Sequence, residues 1–263
     1  MILFCQMDVT GRTEDDPAAR CLVANLLKYI SSYKPPLRRE SLYAGDPAGR
    51  THLEQAGVSI ADYNGGSLKT DQVLIVGPGG SAKLAPHREA VAAWLKAGGH
   101  LLAIGLDERE AEAFLPFSVM MKNAEYINAC FEPAGMDSPL AGIGPADVLI
   151  REPRQLSLVT EGACVVGDGV LAVVPDVNVV FSQLAPWQFD YEKIYHRKMT
   201  FRRTSYLITR LLANMGAGSA TPLLSRFSIP QKACDSPQQG RWLTGLYLDK
   251  PVEMDDPYRF FRW

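Results

Sequence analysis

The stretch "QVLIVGPGGSAKLAPHREAVAAWLKAGGHLLAIGL", residues 72–106, contains two apolar strands joined by a helix. The first strand, in 72–80, runs into a glycine turn, and the second, in 100–106, follows a glycine pair. Between them, 85–99 has apolar residues at helical spacing and ends at that pair. Continuous apolar strands separated by helices are typical of a parallel sheet covered on both faces. The stretch therefore predicts an α/β fold.

The alternation extends upstream of this stretch. Strands are predicted at 41–45 and 58–63, and a helix that begins at the Asp46-Pro47 pair is predicted between them. A second such pair, Asp16-Pro17, predicts the start of an earlier helix. The prolines that follow this helix, Pro35-Pro36, predict a linker.

Downstream of residue 119 the pattern changes. Segment 163–175 predicts a β-hairpin with Asp168-Gly169 at its turn, and 178–187 returns to a core strand. A helix at 200–216 ends at a glycine. We therefore predict one α/β domain over 38–216, with a mostly parallel sheet and a β-hairpin insertion. A Pro-rich, aromatic C-terminal tail occupies 217–263.

The chain also contains an internal repeat. The strand "ILFCQ" at 2–6 matches "VVFSQ" at 179–183, and the helix "CLVANLLKYI" at 21–30 matches "YLITRLLANM" at 206–215. Strand, polar loop and helix recur in the same order in both places. We interpret residues 1–37 as the terminal strand and helix of a preceding repeat copy, plus a linker.

The repeat includes three leucines in each of the two helices. Three leucines of the first helix fall on three of the second, namely Leu22 on Leu207, Leu26 on Leu211 and Leu27 on Leu212. An apolar strand that opens a chain needs a partner edge. We therefore expect the chain to be the C-terminal piece of a longer protein; the alternative is a strand kept as an addition at a sheet edge.

Composition excludes several classes of protein. Net charge is −2 and the pI about 6.1, which argues against a nucleic-acid-binding protein. No apolar run approaches the roughly 20 residues of a membrane span. Met1 is followed by a strand-like run instead of a basic segment, so we expect no signal peptide in this chain. The compartment of the parent protein stays open, because a longer protein could carry an export signal.

Cysteine and histidine positions give no sign of a disulfide framework or a metal site. The five cysteines form no Cys-x-x-Cys pair, and four of them lie in apolar runs, which predicts buried thiols: Cys5, Cys21, Cys130 and Cys164. The fifth is Cys234. The four histidines lack metal-ligand spacing. We predict no metal and no cofactor.

Ligands of open α/β sheets bind at the carboxyl ends of the strands. Three segments lie there, "GPGG" (77–80), "GLDE" (105–108) and "QLAPWQFD" (183–190). The candidate ligand-binding residues in them are Gly79, Gly80, Asp107, Gln183, Trp187 and Gln188. Backbone N–H groups of "GPGG" could receive an anion. No Lys-Ser/Thr pair follows, so the segment is not a phosphate loop, and a tight turn is the alternative.

The order of strands and these strand ends resemble the class I glutamine amidotransferase-like fold, a flavodoxin-like three-layer sandwich. The resemblance implies a Cys nucleophile after "LLAIG" and a His-x-Glu pair after the last core strand. Leu106 and Asp107 stand at the first place, and Pro186, Trp187 and Gln188 at the second. A Cys nucleophile is activated by an adjacent base, and neither partner is present. We expect a degenerate site without catalytic residues.

Four phrases carry a narrower resemblance: "ILFCQMDVTGRTEDDPAA", "VVFSQLAPWQFDY", "TFRRTSYLITRLLANMG" and "YLDKPVEMDDPYRFFRW". They are similar to the C-terminal region of large bacterial glycoside hydrolases of the β-galactosidase type. In that family, degenerate amidotransferase-like domains follow the catalytic barrel and help to build oligomers. The resemblance implies a structural or oligomerisation domain. Its partner would be the remainder of such a hydrolase or another copy in a homo-oligomer.

Two other functions remain open from the residues. A small-molecule or sugar hydrolase would use the strand-end cleft, and a glycosidase would need two carboxylates there. The acidic candidates are Asp107, Glu108, Asp190 and Glu192. A carbohydrate-binding module would instead stack sugars on aromatic rings. Those rings are Trp187, Trp242, Tyr247, Tyr258, Phe260, Phe261 and Trp263.

Overall fold

The computed structural model describes residues 11, 13–32, 38–189 and 195–218. The chain forms two compact units, residues 1–37 and 38–263. The strands are β1 Glu40–Ala44, β2 Ile60–Asp62, β3 Gln72–Val76, β4 His100–Ile104, β5 Met120–Tyr126, β6 Arg154–Glu161, β7 Cys164–Val166, β8 Leu171–Val174 and β9 Val179–Ser182. The α-helices are α1 Pro17–Ser32, α2 Pro47–Gln55, α3 Ser81–Leu84, α4 Arg88–Lys96, α5 Glu108–Phe114, α6 Pro145–Val148 and α7 Tyr195–Asn214.

Seven strands of the second unit form one mostly parallel sheet. Its order is β2-β1-β3-β4-β9-β8-β7, and the first five strands are parallel. When these five are numbered along the chain, their order is 2-1-3-4-5, which is the flavodoxin-like order. Strands β8 and β7 extend the sheet in antiparallel fashion. The predicted flavodoxin-like α/β fold with a mostly parallel sheet is confirmed.

Helices cover the sheet on both faces because the central strands are almost entirely apolar. All five residues of β3 are buried, and neighbours along the strand point to opposite faces. Ile75 lies in one apolar cluster with Leu53 of α2 and Leu211 of α7. Leu74 lies in a second cluster with Trp94 of α4 and others. The two clusters and the sheet between them make the predicted three layers.

The predicted hairpin is present and joins the main sheet. β7 and β8 pair antiparallel, and the turn between them contains Asp168 at φ 57° and Gly169 at φ 91°. β8 also pairs with β9, so the hairpin widens the sheet instead of standing apart from it. A separate two-stranded sheet of β5 and β6 was not predicted from the sequence. Strand β5 is largely exposed, and its polar residues carry little strand signal.

Two helices differ from their predicted bounds. The segment 85–99 contains a 3₁₀ turn at Ala85–His87 before α4 begins at Arg88. The last helix begins at Tyr195, earlier than residue 200. Helix boundaries shift easily by a turn, because caps and 3₁₀ turns change the ends more than the middle.

The prediction of buried thiols is wrong for the three cysteines that the structure describes. Cys21, Cys130 and Cys164 are exposed. Cys164 begins the edge strand β7, and Cys21 lies in α1, where Ala19 is the one buried residue. An apolar run does not fix burial in an edge strand or a one-sided helix, because only one side packs.

The first unit contains α1, which begins at the predicted Asp-Pro pair. The Asp16 Oδ1 atom accepts hydrogen bonds from the backbone N–H groups of Ala18 at 2.8 Å and Ala19 at 3.4 Å. The predicted strand at 2–6, the Pro35-Pro36 linker and the tail from residue 219 lie outside the described residues. The assignment of residues 1–37 to a preceding copy stays a prediction. Among the described helices, none is long and apolar enough to cross a membrane.

Candidate functional site

The ends of strands β3, β4 and β9 converge at one edge of the sheet. Gly105, which follows β4, adopts φ +63° and lies between the other two strand ends. A Cβ atom on Gly105 would lie 3.4 Å from the Ala185 Cβ, 3.8 Å from the Pro78 Cγ and 3.9 Å from the Gln188 Nε2. The structure therefore brings together the three segments in which candidate residues were predicted.

The "GPGG" turn uses its backbone donors within the chain. The Gly77 N–H donates to the Ala44 carbonyl at 2.8 Å, and the Gly80 N–H to the Gly77 carbonyl at 3.0 Å. The exposed Gly79 N–H donates to Oε1 of Glu110 at 2.6 Å, and Pro78 has no N–H. A carboxylate of the chain itself thus occupies the donor at which an external anion could bind.

Gly80 is required by close packing. A Cβ atom at this position would lie 2.2 Å from the Ala44 carbonyl oxygen and 2.9 Å from that of Gly77. Such contacts with backbone atoms cannot be relieved by a side-chain movement. The turn therefore rests directly on the end of β1, and Gly80 has a packing role here.

Asp107 caps helix α5. Its Oδ1 atom accepts a hydrogen bond from the Glu110 N–H at 2.8 Å, and the Glu110 carboxylate accepts one from the Asp107 N–H at 3.4 Å. This reciprocal arrangement is a capping box. The neighbouring Glu108 accepts a hydrogen bond from the Met121 N–H at 2.8 Å. All three acids at this strand end therefore bind backbone N–H groups.

Trp187 connects the loop after β9 to the end of β1 through a hydrogen bond with Asp46. The Trp187 Nε1–H donates to Oδ2 of Asp46 at 3.3 Å, and the Tyr43 hydroxyl donates to Oδ1 at 3.3 Å. Oδ1 also caps α2 by accepting from the Gly49 N–H at 2.7 Å. Burial, reinforced by the negative charge of Asp46, raises the pKa of Tyr43 well above its ordinary value. One carboxylate therefore ties together a strand, a helix and the loop after β9.

The two glutamines do not share a site. Gln183 is buried, and its Nε2 donates to the Met121 Sδ at 3.7 Å, toward strand β5. Gln188 is exposed, and its backbone carbonyl oxygen accepts a hydrogen bond from the Arg154 guanidinium at 3.0 Å. Of the six candidates, the structure places Gly79, Gly80, Asp107, Trp187 and Gln188 around the converging strand ends. The Gln183 side chain points elsewhere.

Three residues of this edge were not among the candidates. Glu110, Asp46 and Tyr43 make the contacts that connect the strand ends. A local signal existed for two of them, since Asp-x-x-Glu at 107–110 predicts a capping box and Asp-Pro predicts a helix start. Their long-range partners have no local signal.

Several other candidates fall outside the described residues. These are the acids Asp190 and Glu192 and the aromatic residues Trp242, Tyr247, Tyr258, Phe260, Phe261 and Trp263. Within the part of the chain that the structure describes, no three or more His, Cys, Asp or Glu side chains are grouped to hold a metal ion.

Neither a protein-family model nor a curated protein sequence matches the chain. Among solved structures, it is similar to the structure of PurLQS from Thermotoga maritima, at 13% sequence identity and a TM-score of 0.44. The match covers 68% of this chain and 100% of that chain. The parallel strands of this chain have the flavodoxin-like order 2-1-3-4-5.

Proposed function

We propose that residues 38–216 form a degenerate domain of the class I glutamine amidotransferase type that performs no catalysis. Its role is structural or oligomerising support for a glycoside hydrolase of the β-galactosidase type. The link to a sugar-processing parent is supported by the resemblance of the quoted sequence phrases. The non-catalytic role is supported by the geometry of the strand ends.

The observation that carries the non-catalytic role is the hydrogen bond between the Glu110 carboxylate and the Gly79 N–H, at 2.6 Å. A backbone N–H at a strand end is the kind of group that stabilises an oxyanion in acyl transfer. Here it faces a fixed negative charge, which would repel a developing oxyanion. The same carboxylate also caps α5, so α5 holds it in place.

The other acidic side chains at these strand ends also accept hydrogen bonds that stabilise the fold. A glycosidase needs one carboxyl group as acid and another as base or nucleophile, both facing a cleft. Asp107 and Glu108 instead accept hydrogen bonds from the backbone, at 2.8 Å each. Asp46 accepts from three donors. Charge used in this way stabilises helix ends and loops.

Trp187 supports the same role, because it stands where the family resemblance implies a catalytic His-x-Glu pair. Its indole is half-buried and lies 5.7 Å from the ring of His52, centre to centre. The indole N–H bonds to Asp46. An indole N–H is a donor only, so Trp187 cannot act as the base that the resemblance implies at this position.

An activity screen of the full chain tests the proposal. Chromogenic galactosides, glucosides and glucuronides are offered, and the mass is measured by light scattering in the same buffer. We expect no turnover. Asp107→Asn serves as the site variant, and Asp137→Asn, an exposed acid outside the converging strand ends, is the matched control.

Turnover that is lost in Asp107→Asn and kept in Asp137→Asn would overturn the proposal, because it would place an active site at the strand ends. Turnover unaffected by either variant would overturn it as well and point to the acids outside the described residues. No turnover together with a multimeric mass is the result that an oligomerising domain gives.

A further inference from the structure

Helix α1 has an apolar face that is partly open. Leu27 is 63% exposed and Ile30 45% exposed, and Ala19 alone is fully buried among the residues of α1. Leu22 and Leu26 are half-buried. Large apolar side chains exposed on one side of a helix mark a surface that packs against a partner.

Helix α7 has the same leucine pattern as α1, and its leucines are packed against a partner surface. Leu207, Leu211 and Leu212, the counterparts of the three leucines of α1, are 0% exposed. They belong to one cluster with Ile75 of β3 and Leu102 of β4. In α7, the leucine pattern therefore covers a face of a parallel sheet.

We propose that α1 covers the sheet of another flavodoxin-like domain, namely the preceding copy of the repeat. This inference rests on the proposed support function, and it names the partner surface as a sheet face of branched aliphatic residues. The equivalent face of the sheet in 38–218 is already occupied by α7, so α1 requires a second sheet. The interface that α7 makes in this chain is the template for the one that α1 makes.

The width of the apolar face of α1 favours a sheet, and not a second helix, as the surface against which α1 packs. Leu26 and Leu27 are adjacent, and with Leu22 and Ile30 they make a broad stripe. A broad stripe suits a sheet or a globular core, whereas pairing of two helices requires a narrow seam that repeats every 3.5 residues. The same adjacent pair, Leu211 and Leu212, lies against the sheet in α7.

The test supplies a second sheet in the same polypeptide. Residues 38–178 are fused directly before Ile2, so that Ile2 stands where Val179 follows Asn178 in the second copy. We expect the added body to fold with residues 2–6 as its last parallel strand and α1 as its covering helix. The amides of α1 should then exchange at least about 100-fold more slowly than in the original chain.

A matched control has residues 38–216 fused at the same position. There the added body has its own last strand and helix, so α1 gains no sheet and its amides should keep exchanging rapidly. The control also shows that a body placed upstream can fold. An added body that folds in the control but not in the 38–178 fusion would overturn the proposal, as would equal exchange of α1 amides in both fusions.

Leu26→Glu with Leu27→Glu in the 38–178 fusion should abolish the slowed exchange. Light scattering of the original chain tests the other occupant, a second copy. A dimer that becomes a monomer on Leu27→Glu would overturn the proposal, since α1 would then pack between copies of this chain. None of these outcomes depends on turnover, so failure here is distinct from failure of the non-catalytic role.

Discussion

The two units of this chain use the same local sequence devices with different results. Each contains a helix that begins at an Asp-Pro pair, and each contains the same spacing of leucines. In α7 the leucines are fully buried on the sheet, whereas in α1 Leu27 is 63% exposed. Asp46 accepts hydrogen bonds from groups of a strand, a helix and a loop, whereas the Asp16 carboxylate accepts from backbone N–H groups of its own helix. A local pattern thus builds a helix, and tertiary context decides how much stability that pattern contributes.

Replacing Leu211 of α7 or its counterpart Leu26 of α1 should give the largest difference in the free energy of unfolding. Leu211→Ala removes a fully buried side chain, and we expect it to lower the free energy of unfolding by about 2–5 kcal/mol. Leu26→Ala, its counterpart in the repeat, should lower it by less than about 1 kcal/mol, because Leu26 is half-buried in a separate unit. Urea denaturation of both variants measures the difference. Equal losses would mean that the two helices contribute alike and would break the comparison.

Replacing Asp46 or Asp16, which begin the two Asp-Pro pairs, should give the next largest difference in the free energy of unfolding. Asp46→Ala removes the cap of α2 and leaves the Trp187 indole and the Tyr43 hydroxyl without their acceptor. We expect a loss of about 1–3 kcal/mol. Asp16→Ala should change the unfolding of 38–218 by no more than about 0.5 kcal/mol, since its contacts lie within α1.

Asp46→Asn sharpens this result. Asn keeps an acceptor oxygen for the helix cap, so it should recover much of the stability that Ala loses. Quenching of tryptophan fluorescence by iodide, with a Trp187→Phe chain supplying the signal of the other three tryptophans, reports separately on whether the Trp187 ring leaves its half-buried position. An Asp46→Ala chain as stable as Asp16→Ala would show that the carboxylate does not tie the strand ends together.

The pH dependence of unfolding should give the smallest effect, and α1 contains no histidine to contribute to it. Burial, assisted by the positive charge of Arg39, lowers the pKa of His100 below 6.5. Below pH 6.5 the unfolded chain therefore binds more protons than the folded one, and stability falls as the pH drops toward the folded pKa. His100→Gln should reduce the fall in stability as the pH drops below 6.5. A slope that His100→Gln leaves unchanged would assign it to other groups.

Much of the fold could be predicted from local signals. The apolar runs at β3 and β4 and the helical pattern between them indicated the parallel sheet, because such strands are buried on both faces. The turn at Asp168-Gly169 indicated the hairpin. Exposure of Cys164 was not predictable in the same way, because a strand reads alike at the edge and in the centre of a sheet.

The sequence predicted where the candidate site lies, but it did not predict which side chains contact one another there. The rule that ligands bind at carboxyl ends of strands located Gly79, Asp107 and Trp187 at one edge. The Glu110 carboxylate reaches Gly79 across 31 residues, and Trp187 reaches Asp46 across 141. Side-chain contacts between distant segments depend on the order of strands, which sequence periodicity does not encode.

The sequence by itself determined the strands and helices of the parallel sheet, the hairpin, where several helices begin, and that one leucine pattern occurs twice. Those properties follow from backbone preferences and from the spacing of apolar residues over a few turns. Only the tertiary structure decided that α7 buries its leucines and that Glu110 and Asp46 occupy the donors at the strand ends. Burial and long-range hydrogen bonds arise when segments distant in sequence pack together, and only their arrangement in space sets them.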